Sequence, residues 1–282
     1  MSTNFPHLPP GGRPGIAGKG AIVTGGTSGI GEAVSRRLIA DGAQVVAMAV
    51  GEEEIETAHE RMPGLVDAIR VDVADPGAVG AAFAEADRLL AGAGTTLGIL
   101  VANAGISIRH RFVDITPDEW RRVMAVNLDG VFYCAREAAV RMIQGDGGVI
   151  LMTASTNGIV GHPLYADYNA SKAGVILLAR SMALELAPRV RVNAICPGYV
   201  MTPMQQAEYT PEMLEAADEK IPLRRHAQPG EIAALFAYLA SDDGAYVTGA
   251  AIPIDGGELA GGLASRDWLR APGSGVAAFP EE

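Results

Sequence analysis

Short apolar runs alternate with longer amphipathic stretches along this 282-residue chain. Continuous apolar runs suit strands buried on both faces, and stretches with one apolar face suit covering helices. The alternation therefore predicts βαβ units wound about a parallel sheet. Strands are expected at 20–24, 44–49, 69–72, 99–102, 148–152 and 190–195, with a short last one at 251–255. The fifth and sixth are rich in β-branched residues, which pack well on a pleated surface. Helices are expected at 31–41, at 116–142 with one break, at 166–186 and at 229–240. No internal repeat and no interior linker rich in Gly, Pro or Ser interrupts the pattern. One doubly wound α/β domain of three layers is thus expected over 18–257.

Composition narrows the classes. With 49% hydrophobic and 20% charged residues, the chain is an ordinary globular sequence, neither disordered nor a coiled coil. No uncharged apolar run approaches the roughly 18 residues of a spanning helix. The net charge of −11 argues against a nucleic-acid partner and against anionic membrane surfaces. Cys134 and Cys196 make neither a metal spacing nor a disulfide framework, so both read as small buried hydrophobes in a reducing compartment. Residues 1–17, with Pro6, Pro9, Pro10 and Pro14, read as a flexible leader without the apolar core of a secretory signal; a cytoplasmic address follows.

Between the first strand and the first helix lies Thr24-Gly25-Gly26-Thr27-Ser28-Gly29-Ile30-Gly31. Glycines there let the backbone turn tightly and approach a pyrophosphate, which amides at the helix N-terminus then hold. The spacing is T-G-x-x-x-G-x-G, on Gly25, Gly29 and Gly31, rather than G-x-G-x-x-G. It resembles the short-chain dehydrogenase/reductase family, whose further motifs follow in order. Asn103-Ala104-Gly105 is similar to the family's N-N-A-G, with Ala102 in place of the first Asn. Asn127-Leu128-Asp129-Gly130 resembles its N-x-x-G, Tyr168-Asn169-Ala170-Ser171-Lys172 its Y-x-A-S-K, Pro197-Gly198 its P-G, and Asp255-Gly256-Gly257 its ending. The resemblance covers roughly 18–257 and implies a Rossmann fold that binds a nicotinamide dinucleotide. It implies cofactor contacts from Gly25, Thr27, Ser28, Gly29, Ile30 and Gly31 in the loop. Further contacts are implied from Asp72 and Val73 at the adenine, from Asn103, Ala104 and Gly105, and from Pro197, Gly198, Val200 and Thr202.

Tyr168 and Lys172 stand at i and i+4, on one face of a helix. A free phenol titrates near pH ~10, and a nearby ammonium is expected to lower that value. So tuned, Tyr168 can give a proton to a carbonyl oxygen or take one from an alcohol while hydride moves at the adjacent carbon. Ser155, at the carboxyl end of the fifth strand, suits a polar group aimed at substrate, and the resemblance implies that it bonds the reacting oxygen. Thr153 and Thr156 are neighbouring hydroxyls. The resemblance also implies that Asn127 holds a water linking Lys172 to solvent; a satisfied amide in a helix kink is the compatible structural role. The histidines are not spaced as metal ligands, and His110 and His162 read as pocket walls. The expected catalytic set is Asn127, Ser155, Tyr168 and Lys172, with no metal.

Ala49 occupies the position at the end of the second strand where NAD-using members often carry Asp, and Ser28 and Val50 stand where NADP-using members often carry Arg or Lys. Neither signature is present, but Glu52, Glu53 and Glu54 form the acidic first turn of a helix whose field opposes a 2′-phosphate. NAD is the expected cofactor. The substrate pocket is expected from segments 109–112, 156–165 and 199–227, mostly apolar, with Arg109, Thr156, Asn157, His162, Leu164, Tyr165, Tyr199 and Met204 on its wall. Residues 201–227 are expected to form a lid. The expected activity is interconversion of a secondary alcohol and its ketone, on a small or medium hydrophobic or cyclic substrate. A reductase of carrier-bound 3-oxoacyl groups and a dinucleotide-binding sensor without turnover are the alternatives. Apolar faces at Val123, Val126, Val131, Ala135, Ala138, Ala139, Val175, Leu178 and Met182, with the resemblance, point to a homotetramer. Residues 258–282 form an extension whose segment 265–269 is expected at a subunit interface.

Overall fold

Seven strands form one parallel sheet: Gly20–Thr24 (β1), Gln44–Ala49 (β2), Asp67–Arg70 (β3), Leu97–Ala102 (β4), Gly148–Thr153 (β5), Val190–Pro197 (β6) and Ala251–Ile254 (β7). Their order is β3-β2-β1-β4-β5-β6-β7, in a computed structural model that describes residues 15–261. Most of the leader and the segment 265–269 lie outside the described residues. The chain reverses its winding between β1 and β4, and a crevice opens there at the carboxyl ends of the strands, where such sheets bind ligands.

Among the described residues there are ten α-helices: Gly29–Ala40 (α1), Glu52–Glu56 (α2), Ala58–Arg61 (α3), Pro76–Gly92 (α4), Pro117–Met124 (α5), Gly130–Gln144 (α6), Ala166–Leu186 (α7), Pro203–Glu208 (α8), Pro211–Asp218 (α9) and Pro229–Ala240 (α10). Alternate strand residues face opposite layers. Ile22, Val46, Met48 and Leu100 pack against α4, α6 and α7, whereas Val23, Val45, Ala47 and Ile99 pack against α1 and α10. Several helices start where side chains satisfy their first amides. Asp75 accepts from Gly77 N and Ala78 N ahead of α4, and Thr116 closes a capping box with Glu119 ahead of α5.

Expectations shift at the third strand and at α4. The third strand is Asp67–Arg70 rather than 69–72, because β3 stops pairing with β2 at Ala49↔Arg70 and Val71 and Asp72 turn into the crevice. α4 was not among the expected helices, since its apolar face, Val79, Ala82, Phe83, Ala86 and Leu90, lies among so many alanines that the contrast is weak. The single break in 116–142 is a π-helical turn, Ala125–Asp129. Within 201–227, α8 and α9 are each begun by a threonine whose hydroxyl accepts from the backbone, Thr202 from Gln205 N and Thr210 from Met213 N.

Candidate active site

The glycine loop has the conformation its residues were expected to permit. Gly25 and Gly29 take φ of +60° and +51°, where a side chain would be strained. A Cβ on Gly31 would come within 1.9 Å of Gly25 O, so the first turn of α1 can close on the loop only with glycine there. Ser28 is the N-cap of α1, and the open amides of that helix end point at the crevice. Asn103 ties the loop to its neighbours. Its amide and that of Ala104 donate to Thr24 Oγ1 at 3.0 and 3.1 Å, its side chain donates to Thr24 O at 3.2 Å, and its Oδ1 accepts from Thr153 Oγ1 at 3.0 Å.

The resulting cleft encloses about 490 Å³. Gly25, Ser28, Gly29, Ile30, Ala49, Asp72, Val73, Asn103, Ala104, Gly105 and Thr202, all named as cofactor contacts by the resemblance or by their position, line it, and Tyr168 and Lys172 close its end. Four expected contacts stand behind this wall instead. Thr27 is 1% exposed and donates to Glu54 Oε2 at 2.9 Å; Gly31 packs on Gly25; Pro197 is buried in β6; Val200 is buried in a bridge with Ala227. Glu54 and Arg122 do line the cleft. Glu54 belongs to the acidic turn expected to oppose a 2′-phosphate, whereas nothing in the spacing marked Arg122, which the angle of its helix brings there. The backbone glycines and helix end make a cradle that fits a pyrophosphate, and the long cleft beyond them fits a dinucleotide.

A smaller cavity of about 90 Å³ adjoins the cleft. Ser155, Thr156, Asn157, His162, Tyr165, Gly198, Tyr199 and Met204 line it, and Tyr168 borders both spaces. Arg109 and Leu164 line a neighbouring hollow instead, because Leu164 turns away at φ +73° and Arg109 reaches over the Tyr209 ring, 5.5 Å from its centroid. The small cavity is also more polar than the expected apolar wall. Ser107, Gln205, Glu208 and Tyr209 face it as well, the last three from α8 and the residue after it.

Ser155 Oγ accepts from Asn157 N at 3.1 Å, and Ser155 lines the small cavity together with Tyr168. Lys172 is 2% exposed, and its Nζ donates to Thr153 O at 2.7 Å and lies 5.5 Å from the Tyr168 ring centroid. Desolvation pushes the Tyr168 phenol up to about 12; the Ser155 side chain opposes this and the Glu208 charge adds to it. Burial pulls Lys172 down to about 8. The expected lowering of Tyr168 by its lysine is not found: losing water costs the buried phenolate most, and the lysine ammonium is itself held on Thr153 O.

Asn127 is fully buried in the π turn. Its Oδ1 accepts from Ile106 N at 2.8 Å, and its Nδ2 donates to Ile106 O at 2.9 Å and to Ser171 Oγ at 3.2 Å. The kink thus clamps the loop after β4 to α7, next to Lys172. Sequence reasoning missed a second clamp. Asp167, fully buried beside Tyr168, meets His110 Nε2 at 3.1 Å and accepts from Tyr168 N at 2.8 Å. His110, expected as a pocket wall, instead ties its loop to α7.

Comparison with known proteins agrees with this geometry. Residues 25–258 match a family model described as enoyl-(acyl carrier protein) reductase. Meso-2,3-butanediol dehydrogenase of Serratia marcescens is 36% identical over 244 residues, covering 86% of this chain and 95% of that one. The NADP-dependent (R)-specific alcohol dehydrogenase of Lentilactobacillus kefiri is 37% identical over 252 residues, 87% and 98% of the two chains. Among solved structures, a short-chain type dehydrogenase/reductase from Mycobacterium marinum superposes with a TM-score of 0.79 at 35% identity, over 86% of this chain and 96% of its own. Motifs, sheet order and relatives agree along most of the chain, which belongs to the short-chain dehydrogenase/reductase family.

Proposed function

We propose that the protein interconverts a secondary alcohol and its ketone, with Tyr168 as the general acid and base and NAD as the cofactor. The observation that carries this reading is the position of Tyr168: it borders both the dinucleotide-sized cleft and the small cavity, beside Ser155 and backed by Lys172. When bound, the nicotinamide supplies the hydride acceptor for the alcohol or the donor for the ketone. Gly25, Ser28, Gly29 and Ile30 would hold its pyrophosphate, and Asp72 and Val73 its adenine end. Ser155 holds the reacting oxygen by a hydrogen bond. Tyr168 gives that oxygen a proton in reduction and takes one in oxidation. Lys172 positions Tyr168 and supplies positive charge beside it, and Asn127 keeps the loop at Gly105 and Ile106 in place.

The cofactor preference rests on Ala49 and Glu54. Both line the cleft, and a carboxylate there accepts from a ribose 2′-hydroxyl and repels a 2′-phosphate. Arg122, also on the wall, is the opposing charge. Reduction of 3-oxoacyl groups on a carrier protein is the second reading, favoured by the likeness to a 3-oxoacyl-[acyl-carrier-protein] reductase of Thermotoga maritima, 38% identical over 247 residues. The net charge of −11 disfavours docking an acidic carrier. A sensor without turnover would not need Tyr168 and Lys172 in this arrangement.

Replacing Tyr168 with Phe keeps the ring and removes the proton. The rate should fall by roughly 100-fold or more, as for loss of a general acid-base group, with cofactor affinity retained. The assay follows reduced-nicotinamide absorbance over a panel of alcohols and ketones. Turnover by Tyr168→Phe close to that of the unaltered protein excludes the mechanism.

A further inference from the structure

Arg61, on α3, lines neither the cleft nor the small cavity, yet it joins three segments that meet behind the cleft wall. Its Nη1 donates to Thr27 O at 2.7 Å and to the Glu32 carboxylate in the first turn of α1, and its Nη2 donates to Glu54 O at 2.9 Å. Its Nε donates to Thr57 Oγ1 at 3.2 Å, which ties the guanidinium to the start of its own helix. One planar fork thus fixes the glycine loop, α1 and the acidic turn of α2 relative to one another.

The group this arrangement serves is the Glu54 carboxylate. Among the described residues that carboxylate has one hydrogen bond, from Thr27 Oγ1 at 2.9 Å, and Thr27 is itself buried while Glu54 lines the cleft. Where the carboxylate sits therefore depends on the spacing of Thr27 and Glu54, and Arg61 grips the backbone oxygen of both. The charge of Arg61 is matched by Glu32, so its influence on the cleft comes through position rather than field. Resting on the NAD reading proposed above, we infer that Arg61 is a positioning residue for cofactor choice, which holds the Glu54 carboxylate on the cleft wall where it favours a ribose 2′-hydroxyl over a 2′-phosphate.

Arg61→Lys keeps the charge, but a single nitrogen cannot span the two backbone oxygens as the fork does. The test measures Kd for NADH and for NADPH by the fluorescence of the reduced nicotinamide, without substrate. It compares the full-length protein with Arg61→Lys, Glu54→Gln, the double variant and Thr27→Val, whose folds are checked by thermal melting. The ratio of Kd for NADPH to Kd for NADH should exceed one in the unaltered protein. It should fall by roughly threefold or more in Arg61→Lys, the size of one neutral hydrogen bond. Thr27→Val, which removes the hydroxyl that anchors Glu54, should lower it likewise. In the Glu54→Gln background Arg61→Lys should leave the ratio unchanged, because its effect passes through that carboxylate. A merely structural role would raise both constants and leave their ratio fixed. That result, an equal fall in both backgrounds, or a ratio unmoved by Thr27→Val overturns the inference and leaves the NAD reading standing. A ratio of one or below in the unaltered protein, or binding of neither cofactor, removes the NAD reading together with it.

Discussion

Lys172 places an ammonium where only 2% of the residue is exposed, held by one hydrogen bond to Thr153 O. Its pKa falls from 10.5 to about 8 because burial penalises the charged form. Below pH 8 the folded and unfolded chains are both protonated there, and folding carries the whole cost of the buried charge. Between pH 8 and 10.5 the unfolded chain keeps a proton that the folded chain has lost, so this group makes folding more favourable as pH rises. Lys172→Met lacks the titration. Its stability relative to the unaltered protein should therefore drop by about 2 kcal/mol between pH 7.5 and pH 10. Urea unfolding of both proteins at the two pH values measures the difference, and parallel stabilities would contradict a buried, depressed lysine. Tyr168, raised to about 12, acts in the opposite sense but only above pH 10, and it does so in both proteins. Tyr168, Lys172 and Ser155 were legible in the sequence because a helical repeat and a strand end determine where they point. Glu208 was not legible, because its role depends on how α8 lies over the cavity.

The turn from β2 into α2 sets the charge at one end of the cleft. Glu52, Glu53 and Glu54 all lie in the first turn of α2, and only Glu54 lines the cleft and bonds Thr27. Catalytic efficiency should accordingly be higher with NAD than with NADP. Glu54→Lys should move the ratio toward NADP by roughly tenfold or more, the effect of reversing one partly screened charge. A ratio that favours NADP in the unaltered protein, or one unmoved by the substitution, would assign cofactor choice to another element. The elements with strong periodic contrast were readable from the pattern alone: α7 and α10 span the expected 166–186 and 229–240. Boundaries set by pairing were not. β3 ends two residues early because its partner strand ends, and β6 runs on to Pro197 because β7 continues beside it, up to Pro197↔Ile254. The break between α5 and α6 was visible as an interruption. Its π geometry was not, since it follows from where the Asn127 amide meets Ile106.

At the scale of the whole molecule, the residues expected to pair subunits lie in the protein's own core. Val123, Val131, Ala135, Ala138, Ala139 and Val175 are buried, and Val126, Leu178 and Met182 pack against them. Counting apolar positions on a helix overstated the excess, because α6 and α7 bury one face on the sheet and part of their flanks on each other. A different set remains in water. Phe132, Val140 and Ile143 on α6 are 44%, 43% and 43% exposed, and Leu177 and Leu184 on α7 are 63% and 85% exposed. Leu177 and Leu184 are two turns apart and so lie in one stripe along α7. Exposed apolar side chains gathered on one helix face mark an association site, and symmetric pairing of the same two helices would cover them. We propose a homotetramer that uses this face in one of its interfaces. Light scattering at micromolar concentration should give about four times the 29.2 kDa chain mass. Leu177→Glu with Leu184→Glu places two carboxylates where the stripe would be buried, and the mass should fall to that of a dimer or monomer. Both positions are exposed in the single chain, so the substituted protein should keep its fold and its far-ultraviolet circular dichroism. A monomer mass for the unaltered protein would refute the assembly, and a tetramer that withstands both carboxylates would move the interface to another face.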